Sequence, residues 1–182
     1  MSKGGGIGMN TAEFQQLLRM YERDVYAFCR YLAMDVDVAA DLYQDTVLAA
    51  FQRAKHIDEA QNPRAFLFAI AAGLWRNIKR KAGRRQAIAP TLPLEEAAHV
   101  AAGSGGPAEA LHDKQQRESI AKALNRLDDK WRVPLILHYF DDWPLADIAQ
   151  ITGIPKGTVK SRLHKARTLL KETLEKEGFT YE

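Results

Sequence analysis

Residues Pro144–Lys171 read PLADIAQITGIPKGTVKSRLHKARTLLK, two helical patterns separated by a turn. Leu145, Ile148, Ala149 and Thr152 share one helical face, and Gly153 then supplies a left-handed backbone position that ends a helix at little cost. Pro155 sets its own φ for a new helix and disfavours helix in Ile154, so the connection is only a few residues long. This is the spacing of a helix-turn-helix. At about 100° per residue, Val159, Leu163, Ala166 and Leu170 fall on one side of the second helix and are expected to face a core. Opposite them lie Gly157, Ser161, His164, Lys165 and Thr168, flanked by Thr158, Lys160 and Lys171; Lys156 and Arg167 complete the candidate DNA contacts. Long cations suit guanine edges or phosphates, and small hydroxyl residues suit close approach of the backbone, so the face fits a major groove. An ordinary amphipathic surface helix mixes both charges, whereas Gly153–Lys171 holds no Asp or Glu.

Net charge is only +3 over 182 residues, so the chain is not a polycation and the placement of charge matters more than its sum. The single cysteine, Cys29, excludes an intramolecular disulfide and a cysteine-based metal cluster. Between Phe28 and Tyr31 it reads as a small buried apolar side chain. No apolar run is long enough to span a bilayer, and MSKGGGIGMN lacks the apolar core of a signal peptide. A soluble, cytoplasmic protein is expected.

Working outward from the helix-turn-helix, apolar residues recur with helical spacing from about Thr11, a candidate N-cap, to Leu32. A second helix is expected from about Val38 to Ala54, burying Ala39, Leu42, Thr46, Ala49 and Ala50 or Phe51. Its other side, through Asp37, Asp41, Gln44 and Asp45, is acidic and polar: a solvated face, or a docking surface for a basic partner. Lys55–Asn62 reads as a loop into a third helix with Pro63 in its first turn. That helix starts apolar and turns basic at Arg76, Lys79, Arg80, Lys81, Arg84 and Arg85, with Trp75 interleaved as an aromatic able to stack on an unpaired base or to pack in the core.

From residue 87 to 113 the composition shifts to Ala, Pro, Gly and Glu, which cannot bury much apolar surface and reads as a flexible linker with a short helix around Leu94–Val100. Helical spacing resumes at Ile120, Leu124 and Leu127. WRVPLILHYF follows as a short apolar helix with Pro134 in its first turn or kinking it, and Asp141 and Asp142 then precede the helix-turn-helix. The expected fold is all-α: two small helical bundles, 9–86 and 114–178, joined by that linker, the C-terminal one holding the helix-turn-helix.

No catalytic constellation stands out. His56, His99, His112, His138 and His164 lack metal-ligand spacing, and the N-terminal glycines lack the lysine and strand of a phosphate loop, so no cofactor or metal and no enzyme activity is expected.

DLYQDTVLAAF, PRAFLFAIA and LADIAQITGIPKGTVKSRLHKAR, in this order and with a linker between the halves, resemble the bacterial extracytoplasmic-function sigma factors. The resemblance covers nearly the whole chain. It implies a transcription initiation factor that binds core RNA polymerase and promoter DNA. Asp41, Gln44 and Asp45 would contact the polymerase clamp. Lys55, His56, Asn62, Trp75, Arg76, Asn77, Lys79 and Arg80 would hold the melted minus-ten strand. Lys156–Lys171 would read the minus-thirty-five element, and an anti-sigma factor would regulate the whole. The chain departs from the family's usual pattern at Ala72-Gly73, where an Arg-Asn pair is common, and at Pro134, where the helix usually runs uninterrupted. The competing readings are a stand-alone helix-turn-helix regulator and an adaptor that touches no DNA.

Overall fold

Helix α1 (Thr11–Ala33) begins at Asn10 in the computed structural model, which describes residues 9–54, 62–88, 119–140 and 142–176. The Asn10 side chain accepts from the Glu13 amide at 3.0 Å, and the Glu13 carboxylate accepts from the Asn10 amide at 2.8 Å. This reciprocal cap, one residue before the expected Thr11, satisfies two amides that the helix itself cannot and contributes about 1 kcal/mol. Met34 ends α1 in the left-handed region (φ 60°), its amide bonded to the Arg30 carbonyl. Helix α2 (Val36–Arg53) follows after a single further residue, with Asp35 accepting from the Val38 amide at 2.8 Å. It therefore starts two residues earlier than its apolar spacing suggests.

Helix α3 (Pro63–Ile88) is capped by Asn62, whose side chain accepts from the amides of Arg64 and Ala65. After the described residues resume, α4 covers 119–125. Helix α5 (Asp129–Phe140), α6 (Leu145–Thr152) and α7 (Lys156–Lys176) follow as the last helices among the described residues. Pro134 lies inside α5 and is buried, beyond the first turn where its ring would be harmless. Its missing N–H leaves the Lys130 carbonyl without the usual donor one turn on.

Helices α1, α2 and α3 pack together around Val25, Phe28, Leu32, Leu42, Leu67 and Phe68, with the Phe28 and Phe68 rings stacked at 4.8 Å. Each such side chain contributes roughly 1.5–3 kcal/mol by leaving water. Helices α5, α6 and α7 form the second bundle, through residues such as Leu135, Ile148, Ile151, Val159 and Leu163. The bundles also pack on each other, α3 against α6 and α1 against α5, so one buried cluster runs through both halves. Phe68 on α3 meets Trp143 edge-on at 5.2 Å, and the Arg64 guanidinium sits 4.5 Å from the Trp143 ring centre. Of the expected linker only residues 87 and 88, the end of α3, are described; 89–113 lie outside the described residues, as do the short helix expected there and Asp141.

Candidate nucleic-acid interface

Gly153 has φ 69°, as a helix stop needs, and its amide bonds to the Ala149 carbonyl at 2.9 Å. The Ile154 amide shares that carbonyl, and α7 starts immediately after Pro155. Ile148, Ile151, Thr152, Val159, Leu163 and Ala166 are buried, which holds α7 against its bundle by one stripe. Leu170 is only half-buried, and Leu174 one turn later takes the expected core place.

The opposite side of α7 is open. Lys156, Gly157, Lys160, Ser161, His164, Lys165, Arg167 and Thr168 are exposed, and Thr158 is half-buried. The Ser161 and Thr168 hydroxyls donate to the carbonyls of Thr158 and His164, one turn back, and Arg167 lies 3.4 Å from the Tyr139 hydroxyl. The helix-turn-helix thus presents cations and small hydroxyl residues on one convex face, which can make bidentate base contacts and phosphate contacts together.

The N-terminal set is less uniform. Asn77, Lys79 and Arg80 are exposed on α3, with Arg80 donating to Asn77. Arg53, Arg76, Asn77 and Arg80 line a cavity of about 470 Å³ whose floor includes Ile70 and Gly73. Gly73 therefore leaves open a space that a larger residue would narrow. Asn62 is exposed, but its carbonyl oxygen is occupied in capping α3. Lys55 and His56 lie outside the described residues.

Of the two places expected for Trp75, on a base-stacking surface or in the core, the structure gives it the second. It is only 5% exposed, with the Arg132 guanidinium from α5 5.7 Å from its ring centre and Lys79 at 5.5 Å. Arg76 beside it donates to the Thr152 carbonyl at the end of α6. In this arrangement Trp75 belongs to the contact between the bundles and has no face free for a base, whereas Arg76 bridges that contact and stays exposed.

On α2, Asp41, Gln44 and Asp45 are exposed as expected. Sequence reading missed their apolar neighbours: Leu48 and Phe51 are 57% and 46% exposed, and with Phe14, Leu18, Tyr43 and Val47 they line a groove of about 540 Å³ between α1 and α2. Leu48 falls off the buried stripe of α2, a signal legible in the spacing, and of the alternatives Ala50 and Phe51 it is Ala50 that is buried. Also missed was Arg132, buried within an apolar run. No described helix is long and apolar enough to cross a membrane.

The sigma-70 region 2 family model matches residues 17–85, and the sigma-70 region 4 model matches residues 117–170. The ECF RNA polymerase sigma factor SigL of Mycobacterium tuberculosis is 32% identical over 181 residues, covering 95% of this chain and 97% of that protein. The ECF RNA polymerase sigma factor SigW of Bacillus subtilis is 27% identical over 165 residues, 88% of each chain. Among solved structures, the sigma factor RpoE in complex with the anti-sigma factor NepR from Bartonella quintana superposes with a TM-score of 0.78 at 30% identity, covering 91% of this chain and 98% of that one. CnrH, solved with the cytosolic domain of CnrY, shares the fold at a TM-score of 0.64 and 22% identity over 91% of this chain and 90% of that one. With both sigma regions in order and a close relative matched end to end, the chain belongs to the extracytoplasmic-function sigma factors, transcription initiation factors that bind RNA polymerase and direct it to promoter DNA.

Proposed function

We propose that the three surfaces divide the work of promoter recognition. The open cationic face of α7, from Lys156 to Thr168, reads the minus-thirty-five element as duplex. The end of α3, with Arg76, Asn77, Lys79 and Arg80, and with Asn62, Lys55 and His56 ahead of it, holds the melted minus-ten strand, which needs stacking and pockets rather than a groove-reading helix, and Trp75 joins them only where its ring is uncovered. Asp41, Gln44 and Asp45, beside the apolar groove at Leu48 and Phe51, form the polymerase contact, a charged rim around an apolar centre. Residues 9–86 and 114–178 act as the two working units and 87–113 as their tether. The factor works in the cytoplasm, catalyses nothing itself, and is held in check by an anti-sigma factor, as the solved relative with NepR suggests.

The observation that carries this reading is the exposed face of α7 from Lys156 to Thr168, which joins cations and hydroxyl residues with Gly157 and His164 and holds no carboxylate, on a helix-turn-helix. Run-off transcription with core polymerase on candidate promoters tests it. Core polymerase is expected to start at specific sites only when the factor is present; failure to bind core polymerase, with tight duplex binding by the factor alone, would favour a stand-alone regulator.

A further inference from the structure

Beside the cationic face of α7 stands an aromatic residue that is not part of the helix-turn-helix. Tyr139, in the last turn of α5, is 51% exposed, and among the described residues of the second bundle it is the one large apolar or aromatic side chain so open to solvent. A lone exposed ring is ordinary, but this one is held. The His138 ring meets it edge-on at 5.0 Å, and His138 Nδ1 lies 3.3 Å from the Trp143 carbonyl ahead of α6. The Tyr139 hydroxyl lies 3.4 Å from the Arg167 guanidinium, 28 residues further along the chain.

Both members of this pair have donors left over. A guanidinium has no acceptor, so the phenol oxygen accepts from Arg167 and its own hydrogen stays unused among the described residues. Arg167 is exposed, and no carboxylate among the described residues pairs with it. At 3.4 Å the contact is long for a hydrogen bond. It therefore aims two donors at one place more than it satisfies them. The group that matches is a phosphodiester, whose free oxygens can take the phenol O–H and the guanidinium together. An isolated acidic side chain offers similar oxygens. The adjoining Lys160, His164 and Lys165, with no carboxylate among them, favour a polyanion instead.

We propose that Tyr139 and Arg167 grip one backbone phosphate at the flank of the minus-thirty-five duplex, so that the DNA-contacting surface extends from the helix-turn-helix onto α5. The inference rests on the reading above that the open face of α7 meets this duplex. Tyr139 donates to the phosphate and keeps Arg167 turned towards it. Being a contact to backbone, the grip fixes the register of α7 on the DNA and carries no sequence information itself.

The test uses core polymerase with the full chain, on promoter fragments in which single phosphates around the minus-thirty-five element are replaced by neutral methylphosphonates. Wild-type affinity should fall about three- to tenfold at one flanking position. Tyr139→Phe removes one exposed oxygen. It should lose about as much on unmodified DNA, alike for cognate and scrambled minus-thirty-five sequences, with no change in salt slope because the phenol is uncharged. Arg167→Ala should lower the slope by about one. At the sensitive position the methylphosphonate should cost each variant less than it costs the wild type. Tyr139→Phe that binds DNA like the wild type, or keeps the full loss at that position, would overturn the proposal. So would a loss confined to core-polymerase affinity, which would make Tyr139 a polymerase contact. Lys165→Ala, measured alongside, separates the two readings. If it loses affinity for the cognate sequence while Tyr139→Phe is silent, the grip fails and the α7 reading stands; if both are silent, the α7 reading fails with it.

Discussion

The guanidinium of Arg132 and the main-chain carbonyl of Leu32 meet at 2.8 Å across 100 residues of chain. Arg132 is 2% exposed, and burial pushes its guanidinium below its ordinary pKa while the Asp129 carboxylate at 2.7 Å partly restores it. The Asn125 side chain accepts a further bond at 3.1 Å. Arg132→Ala strips three acceptors of one donor group and should lower stability by about 2–4 kcal/mol in urea titration. Asp129→Ala on top of it should cost much less than it does alone, a coupling of about 1–2 kcal/mol. Additive losses would show that the pair does not act together.

Gly153→Ala tests the turn of the helix-turn-helix. A Cβ there meets nothing within 4 Å, so crowding contributes no penalty, and the cost is the left-handed backbone at φ 69°. The expected loss is about 1–2 kcal/mol, smaller for Gly153→Asn, which tolerates that region better. Thermal or urea unfolding of the three chains gives the order Gly, Asn, Ala.

On α7, Lys165 and Arg167 are both exposed but should fail differently. Lys165→Ala is expected to cost about 1–3 kcal/mol on the cognate minus-thirty-five sequence and little on a scrambled one, as a base contact does. Arg167, held near the Tyr139 hydroxyl at the edge of the face, should weaken all sequences alike and reduce the salt dependence by about one unit of slope. Binding of polymerase holoenzyme to the two promoters at several salt concentrations separates them.

Cys29 offers a pH prediction. Burial pushes its thiol from the ordinary 9.0 to about 12, with the Thr46 hydroxyl only partly opposing the shift. The unfolded chain therefore gives up this proton first as pH rises. The stability tied to it is complete below 9.0 and is lost on the way to about 12. At about pH 10 the loss is near 1.4 kcal/mol, and Cys29→Ala should show a shallower fall than the wild type over the same range. Alkylation of the folded chain at neutral pH should proceed only as fast as unfolding.

The helix-turn-helix was the most legible part of the sequence, because a glycine stop, a proline start and a one-sided apolar stripe each act within a turn or two. The α1–α2 corner was less so: Met34 adopts a left-handed φ that glycine usually signals, and Asp35 caps from outside the apolar pattern. Of the two places expected for Pro134, the first turn of its helix or an interior position that kinks it, α5 excludes the first, since only tertiary burial makes a lost hydrogen bond inside a helix tolerable. The cationic face of α7 was readable because an exposed face needs no partner. Trp75 was not, since its burial depends on Arg132, far away in the chain, and periodicity carries no information about contacts between bundles. For the same reason the apolar groove at Leu48 and Phe51 emerged only with α1 packed beside α2.

The reach from Leu32 to Arg132 also sets an order of events during synthesis. Helices α1 to α3 are neighbours in the chain, and their local contacts can form while the remainder is still being made. Thr152 is added 76 residues after Arg76, so at roughly 5–20 residues per second several seconds pass before the second bundle can offer its carbonyl. Through that interval the nascent first bundle carries an uncovered tryptophan beside a row of cations. A newborn chain thus briefly exposes a ring that the finished fold buries.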